Sequence, residues 1–449
     1  MGSLNTSQVV VFVLVDITII LLAARLVGNL FQRFGQPRVV GEIVAGILLG
    51  PTLLGATLWP EFVAPAWMHC ADALAGGDSA TPTLCLFPPQ SRVILGNIGQ
   101  IALLIFSFLV GLEVDVDFLK GKMRSVLSVG LGVVGLPVAL GLAVGPALDA
   151  DLFRQPGASA LGFALFTGSM LAVSALPVMV RILQEKKLTT SHMGAVGIAS
   201  AAVTTIVMFM VVSIATSVST GQSAGAILAK IALTFVYLIV MAAVVRPLLD
   251  RAARSYRESG VLASGFFAIL FITLTASGVF AELLGLTVMV GGFMAGMVLP
   301  ARKQLFADME ERVGELTVTI LLPIFLAFSG LGTDFTRLSG AAFSGLVILL
   351  IAAIAAKWVG GAVFARLSGL SWAEGNVLGI LMNCRGLMVL VVALAGVQNG
   401  VITPVMQLGG VLIALITTAM TGPLFDRYIS SIPEAHDPHV PTIETAGPG

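Results

Sequence analysis

Two basic residues lie inside long apolar stretches of this chain. Lys357 stands in the segment AAIAAKWVGG and Arg385 in the segment LMNCRGLMVL. A charge left unpaired at the centre of a bilayer costs roughly 2.5 kcal/mol or more, so an ionisable residue placed there is a candidate for function. Because burial favours the neutral form of an amine, Lys357 could bind and release a proton. The two cations could instead hold an organic anion together, and Lys357 could also be a structural charge directed at a helix end.

Hydroxyl and amide side chains in the neighbouring apolar stretches form a second group of candidates. A hydroxyl does not ionise at physiological pH, but its oxygen can be a ligand of Na+ or K+. A single Ser or Thr in a membrane helix more often bonds to backbone or to a neighbouring helix. The candidate ion-binding or coupling residues of this kind are Ser174, Ser200, Thr204, Thr205 and Asn383.

Carboxylates within or beside the apolar stretches are few. Asp16 lies in the middle of the first stretch, Glu42 about one turn inside the second, and Glu282 at the end of the eighth. The other acids near stretch ends are Glu113, Asp115, Asp117 and Asp334. Helix-end or loop positions favour a solvated role for most of these residues, so the sequence indicates no evident carboxylate that would carry a proton.

The sequence favours no enzymatic, metal-binding or nucleic-acid-binding function. Its 3 cysteines and 4 histidines have no HExxH or CxxC spacing, so we expect no metal site and no cofactor. No nucleophile and base stand at a catalytic spacing. The formal net charge is zero, which gives no indication of nucleic-acid binding. Cys70 and Cys85 share one loop on the side expected to be oxidising, where they are either two unrelated cysteines or a disulfide.

The composition identifies a polytopic membrane protein. Of the 449 residues 57% are hydrophobic and 11% are charged, with a mean hydropathy of +1.01, whereas soluble domains carry about 25% charged residues. Thirteen apolar runs are each long enough, at about 20 residues, to span a bilayer as a helix. These runs are 9–31, 39–59, 93–112, 125–146, 158–180, 194–214, 224–245, 262–282, 285–300, 314–331, 341–365, 375–396 and 404–425.

Basic residues between the runs alternate along the chain and predict its orientation. Cytoplasmic loops of membrane proteins are enriched in Lys and Arg. The loops that follow odd-numbered runs carry seventeen such residues, whereas the loops on the opposite side carry three, namely Arg92, Arg154 and Arg337. We therefore expect the N-terminus outside and the C-terminus inside. The tail, residues 429–449, is polar and Pro-rich and is expected to be disordered.

Two of the runs are interrupted by Gly, Pro and polar residues. They are TGSMLAVSALPVMVRIL, residues 167–183, in the fifth run and GILMNCRGLMVLVVAL, residues 379–394, in the twelfth. Since the two are seven runs apart, they cross the bilayer in opposite directions. Paired broken helices of opposite direction are typical of secondary transporters built from inverted repeats, with the binding site at the midplane. Two Gly/Pro kinks packed against neighbouring helices are the alternative.

Five segments carry a family resemblance. They are RVVGEIVAGILLGPTLLG (38–55), FSFLVGLEVD (106–115), LAVSALPVMVRILQEKKLTTSHMGAVGIASAAV (171–203), GLTVMVGGFMAGMVLP (285–300) and LMNCRGLMVLVV (381–392). In residue types, order and spacing they resemble the monovalent cation:proton antiporter-2 family, which includes the Kef-type potassium/proton antiporters and the plant cation/proton exchangers. The similarity extends over about residues 10–428.

The resemblance implies the sodium/proton antiporter fold, an all-α inverted repeat of about 13 transmembrane helices with two crossed discontinuous helices. The transmembrane domain would cover residues 1–428. It would comprise core helices over 125–214 and 341–425, scaffold helices over 9–112 and 262–331, and a linking helix over 224–245. The resemblance also implies a homodimer, a core that moves as an elevator against the scaffold, and exchange of Na+ or K+ for protons at the plasma membrane.

The resemblance further assigns positions in the site. Pro177 and Gly386 match the centres of the two broken helices, and Lys357 matches the core lysine or arginine of the family. Thr204 and Thr205 stand where many relatives have Asn-Asp or Asp-Asp. The carboxylate that binds either a cation or a proton in the family is therefore missing at this position, and the expected core carries net positive charge.

Three functions remain open at this stage. A monovalent cation:proton antiporter with an atypical coupling site is the leading hypothesis. The surplus of core cations favours, as an alternative, a proton- or cation-linked exporter of an organic anion such as an antibiotic-like carboxylate. The loss of the acidic pair would also suit a non-transporting sensor. The expected partners are monovalent cations and protons, or an organic anion, within a lipid bilayer.

Overall fold

The computed structural model of this chain is almost entirely helical. It describes residues 5–34, 36, 38–55, 81–113, 123–148, 150–186, 188, 191–299, 303–333, 335 and 338–429. Cys70 and the tail beyond residue 429, on which two of the predictions fall, lie outside these residues. Within the described part of the chain, β-structure amounts to a bridge between Arg154 and Ile402.

The described residues form twenty-one α-helices, which we number in chain order. They are α1 (Thr6–Arg33), α2 (Arg38–Leu49), α3 (Pro51–Leu54), α4 (Pro82–Leu86), α5 (Pro89–Glu113), α6 (Met123–Val144), α7 (Ala150–Phe153), α8 (Ala160–Ala172), α9 (Leu176–Glu185), α10 (His192–Ser219), α11 (Ala224–Val240), α12 (Arg246–Ala252), α13 (Arg254–Ser259), α14 (Ser264–Leu283), α15 (Val288–Met297), α16 (Lys303–Met309), α17 (Leu322–Leu331), α18 (Gly340–Leu367), α19 (Trp372–Met382), α20 (Gly386–Gln398) and α21 (Pro404–Ile429). Shorter π-helical turns join α11 to α12 and α16 to α17.

Many of these helices are long and apolar enough to cross a membrane. Over the described residues there are eight such helices, or nine if the pair bent by 45° between residues 304 and 331 is one span. Large apolar side chains on their surfaces, such as Leu228, Ile239 and Ile272, are more than 60% exposed, which suits contact with lipid. The chain is therefore a multi-pass membrane protein. The number of thirteen spans and the orientation stay predictions.

Serine residues begin several of these helices. The first N–H groups of a helix have no partner within it, and a serine side chain just before the helix can accept from one of them. Five serines do so, each accepting from the N–H three residues further on. They are Ser159 before α8, Ser191 before α10, Ser223 before α11, Ser339 before α18 and Ser371 before α19.

The helices pack in two groups. In the core group α18 lies along α6 and α19, and α8 lies along α6 and α10. In the scaffold group α5 lies along α15 and α17, and α2 lies along α1 and α17. Between the groups the contacts are sparse, with α10 touching α15, α2 touching α20 and α21, and α17 touching α20. We use "core group" for α6, α8–α10 and α18–α21, and "scaffold group" for α1, α2, α5, α14, α15 and α17.

Within the core group α6 and α18 meet backbone to backbone at Gly132 and Gly360. A Cβ atom on Gly360 would lie 2.4 Å from the carbonyl oxygen of Gly132, and one on Gly132 would lie 2.4 Å from the carbonyl oxygen of Gly360. Both distances are far below van der Waals contact. Small residues at helix interfaces allow this close approach, which supplies packing energy where lipid gives no hydrophobic driving force.

We expect Gly360→Ala to destabilise the protein by about 1–3 kcal/mol, because the added methyl group must push α18 away from α6. The matched control is Gly340→Ala in the same helix, where a Cβ atom would meet nothing within 4 Å. The melting temperature of each variant is measured in detergent as the temperature at which heating removes the monodisperse peak in size-exclusion chromatography. Equal melting temperatures for the two would contradict the packing described.

Candidate functional site

The first interrupted run forms two helices, α8 and α9, separated by residues 173–175. Pro177 is the second residue of α9. A proline cannot donate a backbone hydrogen bond, and its ring clashes with the carbonyl four residues earlier, so a helix does not continue regularly into it. The structure therefore breaks the helix just before the proline that the sequence singles out.

The second interrupted run forms α19 and α20, separated by residues 383–385. Gly386 begins α20 with a φ of 47°, in the left-handed region that glycine adopts most readily. A Cβ atom there would lie 3.4 Å from the side chains of Ala175 and Val178, which is ordinary van der Waals contact, so the positive φ is the reason for glycine. The N–H of Gly386 donates to the hydroxyl of Thr418 at 3.0 Å.

The two breaks lie against each other in the core group. The N–H of Ala175 donates to the carbonyl of Cys384 at 2.7 Å. The hydroxyl of Ser174 donates to the carbonyl of Met382 at 2.9 Å. Backbone groups that each break removes from regular helix thus find partners in the other break, as buried backbone at membrane depth requires.

Lys357 is fully buried in α18 and points at this crossing. Its Nζ donates to the hydroxyl oxygen of Ser174 at 2.5 Å. Because the hydroxyl proton of Ser174 is used in the hydrogen bond to the carbonyl of Met382, the lone pairs of its oxygen are free to accept a hydrogen bond from the lysine. One serine therefore connects the lysine of α18 with both broken helices.

Arg385 is also fully buried and belongs to the second break. One terminal nitrogen donates to the carbonyl of Met170 at 2.8 Å and the other to the carbonyl of Ala353 at 2.6 Å. Met170 lies in the last turn of α8, where carbonyls lack helical partners and carry partial negative charge. Ala353 lies one turn before Lys357 in α18. The Nε of Arg385 has no hydrogen-bond partner.

Positive charge is in surplus at the crossing. Within the described residues the partners of Lys357 and Arg385 are all neutral oxygens. The C-terminal ends of α8 and α19 each carry about −0.5 elementary charge, and the N-terminal ends of α9 and α20 each carry about +0.5, so the four helix ends cancel. Asp16 and Glu42 belong to scaffold helices, while Asp115, Asp117 and Asp334 lie outside the described residues. With both side chains charged, the site therefore holds about two positive charges without a negative partner among the described residues.

Three hydroxyls of α10, those of the candidates Ser200, Thr204 and Thr205, are buried but are not bonded to either cation. Thr204 and Thr205 both donate to the carbonyl of Ala201, at 3.1 and 2.8 Å. Ser200 donates to the carbonyl of Val126 in α6 at 3.3 Å. Their protons are thus used on backbone, while their oxygen lone pairs remain available as acceptors. The structure brings together Lys357, Ser174, Asn383 and Arg385, and places the three hydroxyls of α10 in separate bonds.

Two further polar side chains belong to the second break or contact it. The Oδ1 of Asn383 is buried and has no hydrogen-bond partner. Thr418, which holds the N–H of Gly386, was missed by the sequence reasoning. A signal for it exists in the segment TTAMTG, residues 417–422, because three threonines in an otherwise apolar run suggest backbone groups in need of partners.

The cysteines lie outside this arrangement or at its edge. Cys384 is buried, free, and part of the second break. Cys85 is buried in α4 and is disulfide-bonded. Cys70 lies outside the described residues, so the pairing of Cys70 with Cys85 stays a prediction.

Comparison with known sequences identifies the class of protein. The model of the family described as "Sodium/hydrogen exchanger, transmembrane" matches residues 18–427, so the chain belongs to the sodium/hydrogen exchanger family. This confirms the resemblance noted in the sequence.

The similar proteins include a sodium/proton antiporter and a potassium/proton antiporter. The chain is 32% identical over 419 residues to the Na+/H+ antiporter NhaS4 of Synechocystis, covering 93% of this chain and 97% of that protein. It is 28% identical over 432 residues to the K+/H+ antiporter 1 of Saccharomyces cerevisiae, covering 94% of this chain and 46% of that protein. The chain thus spans nearly all of the first relative and about half of the second. It also spans about half of cation/H+ antiporter 19 of Arabidopsis thaliana.

A solved structure shows the same fold. The sodium proton antiporter MjNhaP1 from Methanocaldococcus jannaschii superimposes with a TM-score of 0.59, covering 96% of this chain and all of that one. The two sequences are 11% identical, so the likeness concerns the fold alone. It confirms the antiporter fold expected from the sequence.

We expect Ser174→Ala to destabilise the protein by about 1–3 kcal/mol, because it removes the partner of a buried lysine and of a broken-helix carbonyl at once. Ser200→Ala makes the same chemical change one helix away, where the hydroxyl has a single longer bond, so its effect should be smaller. Thermal unfolding in detergent compares the two. A larger loss in Ser200→Ala would contradict the importance given to Ser174.

Proposed function

We propose that this chain is a secondary active transporter that exchanges a monovalent cation, Na+ or K+, for protons. Its membership of the sodium/hydrogen exchanger family supports this, as do relatives named Na+/H+ and K+/H+ antiporters. The observation that carries the proposal is the fully buried Lys357, bonded to Ser174 where two broken helices cross.

In the proposed coupling Lys357 takes the part of the missing carboxylate. The neutral amine does not repel a bound cation, whereas the ammonium does. Two unit charges about 4 Å apart repel by about 4 kcal/mol at an effective dielectric constant of about 20. That repulsion lowers the affinity for a cation roughly a thousandfold. Proton and cation would therefore exclude each other from the site, as antiport requires.

Neutral oxygens would hold the cation while Lys357 is neutral. The Oδ1 of Asn383 is buried and unpartnered, and such a group is stabilised by a ligand that it can coordinate. A lone pair of the Ser174 oxygen would become available to the cation when the lysine no longer donates to it. Thr204 and Thr205 keep their lone pairs because both protons bond to Ala201. We assign the two threonines to this ligand set as oxygen donors, and not as proton carriers.

Transport would proceed by an elevator-type alternating access. The sparse contacts between the core group and the scaffold group support a sliding motion, since few interactions must break. We further propose a homodimer in the plasma membrane, with the N-terminus outside and the C-terminus inside. The alternating basic loops of the sequence support that orientation.

A second candidate function is export of an organic anion. The unpartnered Nε of Arg385 favours it, because a carboxylate could accept from this donor. A bound anion would then reduce the surplus of positive charge at the crossing, as loss of the proton from Lys357 does in the first candidate function. A non-transporting sensor has no observation of its own in the structure to favour it.

We expect Lys357→Gln to abolish coupled exchange, with proton movement driven by Na+ or K+ falling at least about a hundredfold toward background. The glutamine keeps a hydrogen-bond donor for Ser174 but cannot take up a proton. Proteoliposomes with a pH-sensitive dye inside, to which Na+ or K+ is added outside, give the measurement.

Lys230→Gln is the matched control, because Lys230 is another lysine of a spanning helix, bonded to Ser217 and outside the crossing. It should retain exchange. Wild-type exchange in Lys357→Gln would overturn the proposed coupling. A wild-type protein that exchanges neither cation but moves an organic carboxylate would replace the first candidate by the second.

A further inference from the structure

Asp16 is a buried carboxyl that the proposed transport chemistry does not use. It lies in α1, fully buried, where α1 packs on α5. Its Oδ2 is 2.6 Å from the hydroxyl of Ser91, and its Oδ1 has no hydrogen-bond partner. An ionised carboxylate at membrane depth with one donor and a bare oxygen would be strongly unfavourable.

The contacts of the Ser91 hydroxyl show whether Asp16 carries a proton. Its oxygen lies within hydrogen-bond distance of two acceptors, the Oδ2 of Asp16 at 2.6 Å and the carbonyl of Pro88 at 3.0 Å. A hydroxyl has one proton and can serve one of them. If Asp16 carries a proton on Oδ2, it donates to Ser91 and Ser91 donates to Pro88, so both contacts are made. Geometry and burial together assign a neutral, protonated Asp16 to this conformation.

Arg92 is the charged group that faces this carboxyl from α5. Its guanidinium donates to the carbonyls of Phe87, at 2.7 Å, and Thr83, at 3.5 Å, and not to Asp16. From α2 the nearest titratable group is Glu42, which packs beside Gly28, about 18 Å along α1 from Asp16. Neither α17 nor α4 contains a charged residue.

Arg92 also borders a cavity between the scaffold and core groups, which we call the vestibule. Its volume is about 740 Å³. The vestibule has polar side chains from α5, α14, α20 and α21, namely Arg92, Asn97, Gln100, Glu282, Gln398 and Gln407. A cation that enters between the two groups from this end would pass the positive charge of Arg92.

We propose that Asp16 is a second proton-binding site of this protein, in the scaffold group, and that its proton controls the charge that Arg92 presents to the vestibule. With the proton bound, Arg92 stays on the carbonyls of Phe87 and Thr83. When the proton leaves to water as pH rises, the carboxylate draws the guanidinium toward α1. The positive charge at the vestibule is then neutralised, and cations enter more readily. The proton on Asp16 is separate from Lys357 and independent of the coupling proposed there, whereas its effect on cation entry rests on the proposed cation exchange.

Infrared spectroscopy of the purified protein tests the proton directly. A protonated carboxyl has a carbonyl band that a carboxylate lacks. The wild-type spectrum minus that of Asp16→Asn should show this band at neutral pH, and subtraction of Glu282→Gln, an exposed acid of the vestibule, should not. Ser91→Ala should move the band to higher frequency, which covers the case that Asp16→Asn does not fold. Absence of the band in wild type would overturn the proposal, whether or not the protein transports.

The effect on the vestibule is tested by the apparent KM for Na+ or K+ at acidic and alkaline pH on the vestibule side. Asp16→Asn fixes the neutral state, so its KM at alkaline pH should exceed that of wild type on the order of tenfold. Arg92→Gln removes the charge, so its KM at acidic pH should fall below that of wild type. Identical KM values in wild type and both variants at each pH would overturn the role of Arg92.

Discussion

The core of this protein depends on two buried cations that have no carboxylate partner in the described residues. Lys357 and Arg385 need oxygen acceptors at membrane depth. The carbonyl of Ala353 in the intact helix α18 supplies one through its second lone pair, and the two breaks expose others, the carbonyl of Met170 and the hydroxyl of Ser174. Arg385 in turn satisfies the carbonyl of Met170, which lies in the last turn of α8 and lacks a helical partner. Each feature therefore stabilises the other, and the removal of either would leave buried polar groups without partners.

The same constraint connects structure with function. Two cations beside four helix ends whose partial charges cancel form a site that favours the loss of positive charge. In the proposed coupling, loss of a proton from Lys357 would achieve this and would leave the site to a metal cation. The proton proposed for Asp16 of the scaffold group would add a second group that responds to pH, near the vestibule and away from the crossing. Proton concentration would then act both on the site and on access to it.

Much of this was predictable from the sequence, because the relevant signals are local. Apolar runs, the two interrupted segments and the isolated Lys357 follow from residue type and spacing, whereas Pro177 and Gly386 were assigned as centres of the breaks by the family resemblance. The acceptors of Arg385 could not be predicted in this way, because the carbonyls of Met170 and Ala353 belong to the backbone and are present whatever the residue type. The burial of Asp16 was missed for another reason: it depends on how α1 packs against α5, which no periodicity within α1 specifies.

In the proposed mechanism Lys357 exchanges a proton for a metal cation at one site. The release of protons when Na+ or K+ is added to the purified protein in a weakly buffered solution tests this directly. About one proton should be released per bound cation in wild type, and none in Lys357→Gln. Proton release that persists unchanged in Lys357→Gln, with cation binding intact, would show that another group carries the proton and that Lys357 does not couple transport.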